Sequence, residues 1–165
     1  SGSGKSAVAS AVAREADAAM LDGDYLHPRA NINKMAAGHA LDDNDRAPWL
    51  AALNDAIFAM QRTNPVSLLV CSALKKSYRD RLREGNRNLH FLYLKGDKTV
   101  IEERLKQRKG HFFKPQMLVT QFAALEQPGA DENDVMAIDI NQPLDAVIAD
   151  TVRHIQSFLP QDVCA

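Results

Sequence analysis

The sequence predicts an α/β fold built on a doubly wound parallel sheet, and two observations carry that prediction. Short continuous apolar runs, each about the length of a buried strand, alternate with segments whose apolar residues recur at helical spacing. A glycine-rich run, Ser1-Gly2-Ser3-Gly4-Lys5-Ser6, opens directly into the first helical segment. The 165 residues, 45% hydrophobic and 25% charged, suffice for one domain with a real core. A formal net charge of −1 gives no general pull toward nucleic acid or acidic membranes. No apolar run approaches the roughly 18–20 residues of a membrane span. Cys71 lies in an apolar run and Cys164 in the tail, a usage that fits the reducing cytoplasm. No His or Cys spacing suggests a metal site.

Taken in order, Ser6 to Glu15 reads as a helix, with Val8, Ala11 and Val12 on one face. Ala18 to Leu21 is a strand that ends at Asp22-Gly23-Asp24. Residues 25–44 are polar and broken by Pro28 and Gly38, with a short helix around Asn31 to Ala37. Asp45 can cap the next helix, with Pro48 in its first turn. Leu50, Leu53, Ile57 and Met60 then form a stripe that runs to about Arg62. Val66 to Cys71 is a buried strand, Lys75 to Glu84 a basic helix, His90 to Leu94 a strand and Lys98 to Arg108 a helix. Lys109 to Lys114 is a basic, aromatic loop. Gln116 to Glu126 is a helix, Val135 to Ile140 the last strand and Leu144 to Leu159 the last helix. In such a sheet the ligand sits at the C-terminal ends of the strands.

The chemistry begins at residues 1–6. Gly4-Lys5-Ser6 matches the end of a P-loop, G-x-x-x-x-G-K-[ST]. Glycines let successive backbone N–H groups turn toward an anion, and the following helix adds its positive dipole end. Gly2, Ser3, Gly4, Lys5 and Ser6 would cradle the phosphates of ATP, with Lys5 reaching the β- and γ-phosphates and the Ser6 hydroxyl ligating Mg²⁺. The plain alternative for so short a run is a flexible linker. The motif's first glycine would fall two positions ahead of Ser1, and a strand should precede it. The sequence therefore leads us to expect roughly ten further residues upstream, which supply the first, central strand of a five-stranded sheet. Asp22-Gly23-Asp24 places two carboxylates where one can hold Mg²⁺ through water and the other can accept a proton. The alternative there is a simple Asp-Gly turn. The strand ending at Cys71-Ser72 lacks a terminal aspartate, which leaves Asp22 as the candidate for the metal.

Several ordered runs then share one resemblance. They are Leu21-Asp22-Gly23-Asp24-Tyr25-Leu26-His27-Pro28 with Asn31 and Lys34-Met35, then Asp45-Arg46 with Pro48-Trp49-Leu50. Val70-Cys71-Ser72-Ala73-Leu74-Lys75-Lys76 with Tyr78-Arg79-Asp80 follows, then Arg108-Lys109-Gly110-His111-Phe112-Phe113, and Gln127-Pro128-Gly129-Ala130-Asp131-Glu132. From Ser1 to about Leu144 the chain resembles the gluconate kinases of the small P-loop kinase group. The resemblance implies a nucleoside-monophosphate-kinase-like fold in a single domain over 1–165, with an acceptor-binding insertion at 25–46 and a lid at 104–115. It implies ATP-dependent phosphorylation of D-gluconate at its 6-hydroxyl, in a cytoplasmic homodimer. It also implies that lid arginines Arg104 and Arg108, four apart on one helix face, reach the transferring phosphoryl group, and that Pro143 lies beside the adenine.

A carboxylate substrate with a polyol tail needs fixed cations and hydrogen-bonding groups. Arg46, Lys75 and Arg79 are the basic candidates, and Asp24 and His27 can bond hydroxyls, with Asp24 as the general base. For Lys75, Lys76 and Arg79 the alternative is a solvated helix face; for Arg104 and Arg108 it is pairing with Glu102 and Glu103. Two other functions compete: a shikimate-type or nucleotide kinase, and a nucleotide-binding regulatory module that transfers nothing.

Overall fold

In the computed structural model, residues 3–107 and 115–158 are described. The elements run α1 (Lys5–Glu15), β1 (Ala19–Asp22), a 3₁₀ turn (Gly23–Leu26), α2 (Arg29–Ala36), α3 (Asp43–Thr63), β2 (Ser67–Val70) and α4 (Lys76–Arg83). They continue with β3 (Phe91–Lys95), α5 (Lys98–Gln107), α6 (Pro115–Ala124), β4 (Val135–Asp139) and α7 (Leu144–Phe158). Strand pairing is parallel, in register Ala19 to Ser67 for β1–β2 and Phe91 to Val135 for β3–β4. No helix among the described residues is long and apolar enough to cross a membrane.

The period of two along each strand sorts the core into two layers. Leu68, Leu92, Leu94, Met136 and Ile138 pack with Val8 and Val12 of α1, Ile101 of α5, and Val147 and Ile155 of α7. Leu69, Cys71 and Phe91 face the other way, toward Trp49, Leu50, Leu53 and Ile57 of α3 and Tyr78 and Leu82 of α4. Helices thus cover both sheet faces, as the continuous apolar strands predicted.

The four described strands form two separate parallel pairs, β1–β2 and β3–β4. Residues of β2 and β3 both line an apolar-walled cavity of about 950 Å³. The cap of α3 is Asp42, not Asp45. Asp42 accepts from the Asp45 backbone N–H at 2.9 Å while the Asp45 carboxylate accepts from that of Asp42 at 2.9 Å, a reciprocal capping box. Pro48 consequently stands inside the helix rather than in its first turn, where it forgoes one backbone hydrogen bond. The 3₁₀ turn after β1 has no periodic signature and reads from sequence only as a loop.

Candidate active site

Gly4 is the residue that turns the chain into α1. Its φ of 87° is left-handed, a conformation a side chain strains. A Cβ there would meet nothing within 4 Å, so the demand for glycine is conformational rather than steric. Ser6, in the first turn of the helix, donates from Oγ to Asp22 Oδ2 at 3.1 Å, across to the end of β1. Asp22 Oδ1 accepts the Asp24 backbone N–H at 3.1 Å and so caps the 3₁₀ turn. One carboxylate therefore joins α1 to the turn that carries Asp24, whose side chain is left exposed.

Gly23, between the two aspartates, is buried for a different reason. A Cβ on it would lie 2.7 Å from Leu53 Cδ2 and 2.8 Å from the Val70 carbonyl oxygen. The turn is pressed onto β2 and α3, and the Gly23 carbonyl accepts Trp49 Nε1–H at 2.8 Å. Gly23→Ala is expected to destabilise the fold by about 1–3 kcal/mol through overpacking. It should also lower kcat, because the residue it displaces lies between Asp22 and Asp24. A thermal melt and steady-state kinetics on the same preparation check both.

The insertion 25–46 folds back over this turn. His27 stacks on Trp49 with ring centroids 4.5 Å apart and an interplanar angle of 9°. Asn31 is buried; its Nδ2 lies 3.3 Å from His27 Nδ1 and donates to the Asp45 carbonyl at 2.7 Å. Burial pushes the His27 imidazole below its usual range, as does the positive charge of Arg46, while Asp24 opposes them. Asp24, His27 and Arg46 thus feel one another's charge. The Arg46 guanidinium lies over the Tyr78 ring at 5.8 Å and forms no ion pair among the described residues. Lys75 Nζ sits 2.7 Å from both oxygens of Asp43, and the Tyr78 hydroxyl donates to the same carboxylate. The Lys75 hydrogen bond, followed by that of Tyr78, holds the Asp43 carboxyl below its usual range.

Cys71, at the end of β2, senses the charges of Lys5, Asp22 and Asp24, and burial pushes its thiol up to about 11. Lys5, Asp22, Asp24 and Cys71 therefore gather at one place, the C-terminal ends of β1 and β2. Hydroxyl and carboxylate oxygens at Ser6 and Asp22 suit a hard cation such as Mg²⁺. Among the described residues no group of three His, Cys, Asp or Glu side chains could hold a metal alone, so phosphate oxygens would complete its shell.

Arg104 and Pro143 form a second group. Arg104 Nη2 donates to the Ile140 carbonyl at 2.6 Å and to that of Gln142 at 3.3 Å, which fixes the loop between β4 and α7. The Pro143 carbonyl accepts from Val147 and starts α7. This placement joins Arg104 to the loop expected beside adenine. Gly2 and Arg108, and lid residues 108–114, lie outside the described residues.

Arg79 departs from expectation. Its side chain is 5% exposed, and Nε and Nη2 grip both carboxylate oxygens of Glu132 at 2.7 and 2.6 Å. Nη1 donates to the carbonyls of Ala73, Leu74 and Glu126 at 3.1–3.3 Å. All three nitrogens are engaged inside the fold, so Arg79 is a structural cation rather than an open partner for a substrate carboxylate. Sequence reasoning passed over Asp43, Glu126, Glu132 and the roles of Trp49 and Asn31. Trp49, Asn31 and Glu132 stand inside the quoted runs; the partners of the acids are far along the chain, so their roles carry no local signal.

The chain is 70% identical over 156 residues to the thermoresistant gluconokinase of Escherichia coli K12, covering 94% of this chain and 89% of that protein. The chain belongs to the gluconokinase family. The thermosensitive gluconokinase of the same organism is 45% identical over 100% of this chain and 88% of its own length. In structure, a gluconokinase from Sinorhizobium meliloti 1021 superposes with a TM-score of 0.79 at 39% identity, over 95% of this chain and 91% of that one. No family model matches the chain. Membership accounts for the parallel α/β architecture.

Proposed function

We propose that this protein transfers the γ-phosphoryl group of ATP to the 6-hydroxyl of D-gluconate, giving 6-phospho-D-gluconate and ADP. The observation that carries the reading is the bridge from Ser6 to Asp22 and on to the backbone of Asp24, which sets a proton acceptor beside a phosphate cradle. Family membership at 70% identity supports the choice of acceptor.

Residues 25–46 serve as the acceptor-binding insertion. Arg46, not committed to an ion pair among the described residues, takes the gluconate carboxylate, and Lys75 can exchange its exposed partner Asp43 for a substrate oxygen. His27, stacked on Trp49, bonds a hydroxyl. Asp24 accepts the proton of the 6-hydroxyl as that oxygen bonds to the γ-phosphorus, and the bond to the bridging β–γ oxygen breaks with ADP as leaving group. Lys5 and the amides at the start of α1 stabilise negative charge on the phosphates. Ser6 and Asp22 would hold Mg²⁺, which neutralises charge on the β- and γ-oxygens. Arg104 orders the 140–143 loop on the nucleotide side, and Arg108 belongs with it in the lid at 104–115. The resemblance adds a homodimeric, cytoplasmic setting to this proposal.

The test is a coupled ADP-release assay across gluconate, shikimate and nucleoside monophosphates. Turnover is expected with gluconate alone. ATP turnover with another acceptor and none with gluconate would overturn the reading. Gluconate binding in the presence of an ATP analogue separates the enzyme from a regulatory module, which should bind none.

A further inference from the structure

The loop 71–75 carries Cys71 beside the phosphate cradle and Lys75 into the acceptor pocket, yet it has little structure of its own. Within it a single backbone bond, Leu74 N–H to the Ser72 carbonyl at 3.0 Å, makes one turn. Lys75 is the N-cap of α4 and no side-chain cap bond is made there; a lysine side chain has no acceptor to offer. The missing cap comes from far along the chain. Glu126, just beyond α6, accepts the Lys76 backbone N–H on Oε2 at 2.6 Å. Its own backbone N–H donates to the Leu74 carbonyl at 2.9 Å, and its carbonyl accepts Arg79 Nη1 at 3.1 Å. One residue thus grips the loop on either side of Lys75, and buried Arg79 ties both Ala73 and Leu74 to the same point.

The cap position explains the arrangement. A Ser or Asp at position 75 would cap α4 locally but would remove the ammonium from the pocket. With Glu126 doing the capping, position 75 is free to carry a cation. We propose that Glu126 is a positioning residue for gluconate binding: by capping α4 from the end of α6 it fixes the backbone from which Lys75 reaches the acceptor. This rests on gluconate being the acceptor, and the experiment keeps the two apart.

Glu126→Ala and Glu126→Gln are compared with the parent for gluconate and ATP kinetics, thermal midpoint, and amide hydrogen exchange over residues 72–77. Glu126→Ala should raise the KM for gluconate about fivefold, the scale of a lost helix cap, with kcat and the KM for ATP within about twofold. Exchange over 72–77 should quicken by a similar factor. Glu126→Gln keeps a carbonyl acceptor and should restore the KM to within about twofold of the parent. A lowered thermal midpoint with an unchanged KM for gluconate would make Glu126 a structural cap only and overturn the proposal. So would unchanged exchange over 72–77. If the parent itself does not turn over gluconate, the functional reading fails, whereas the exchange result still decides whether Glu126 fixes the loop.

Discussion

Asp24→Asn lowers kcat by about 10²-fold or more and leaves ATP binding near normal. The substitution keeps shape and removes only the capacity to take a proton, the contribution usually worth about 10²–10⁴-fold. The structure explains why the damage should stay local. The bond that ties this turn to the cradle runs from the Asp24 backbone N–H to Asp22, so it survives a change of side chain. Ser6 keeps its bond to Asp22, and Gly23 keeps its tight seat against Leu53 and Val70. The Asp24 side chain is exposed and makes no hydrogen bond or ion pair among the described residues. Steady-state kinetics with gluconate, paired with a nucleotide titration, separate the two effects. An unchanged kcat would remove Asp24 from the role of base, and a large loss of ATP affinity would move it to the nucleotide site.

Glu132→Ala is expected to destabilise the protein by about 3–5 kcal/mol, because it strands a buried arginine. Arg79 and Glu132 have side-chain exposures of 5% and 2%, and Glu132 also accepts Arg83 Nη2 at 2.8 Å. Removing the carboxylate leaves Arg79 with carbonyl partners alone. Arg79→Met should be milder, since Glu132 retains Arg83. For a chain of this size the loss corresponds to a fall in Tm on the order of 10 °C. The pair also sets a response to acid. The Arg79 hydrogen bonds, reinforced by Arg83, hold the Glu132 carboxyl down to about 2, from an unperturbed value of 4.5. A carboxyl lowered in the folded state contributes stability that is full above its unfolded value and is lost as pH falls toward the folded one. Stability should therefore fall between about pH 4.5 and pH 2 in the parent, with the Glu132 share of that slope absent from Glu132→Ala. Thermal or urea unfolding across that window checks the prediction; equal slopes would show that the pair contributes nothing.

Features governed by neighbours in sequence were legible in advance. The alternation of β1, β2, β3 and β4 with helices follows from runs of apolar residues, and helix limits other than the start of α3 fell within a residue or two because caps and prolines are local. The glycine turn into α1 and the aspartates that follow β1 were legible for the same reason. Interactions closed only by the fold were not. Glu132 lies 53 residues from Arg79, and a sequence reading sees two charges on separate elements rather than one bidentate pair. Lys75 and Asp43 are 32 apart, so a cation assigned to substrate was found on an acid. The α3 cap was misplaced because two aspartates three apart each satisfy half of a capping box, and only geometry decides which is outside the helix.

Trp49 is the single tryptophan of the sequence, buried to 1% exposure, with its indole N–H on Gly23 and its ring face on His27. The protein consequently carries its own optical gauge at the acceptor turn. Its emission arises from one fluorophore that touches both ends of the segment 23–27 and no solvent. A ligand that shifts His27 alters the stacking, and one that moves the aspartate turn alters the hydrogen bond at the indole nitrogen. Occupancy of the acceptor pocket can accordingly be followed by intrinsic fluorescence without any label.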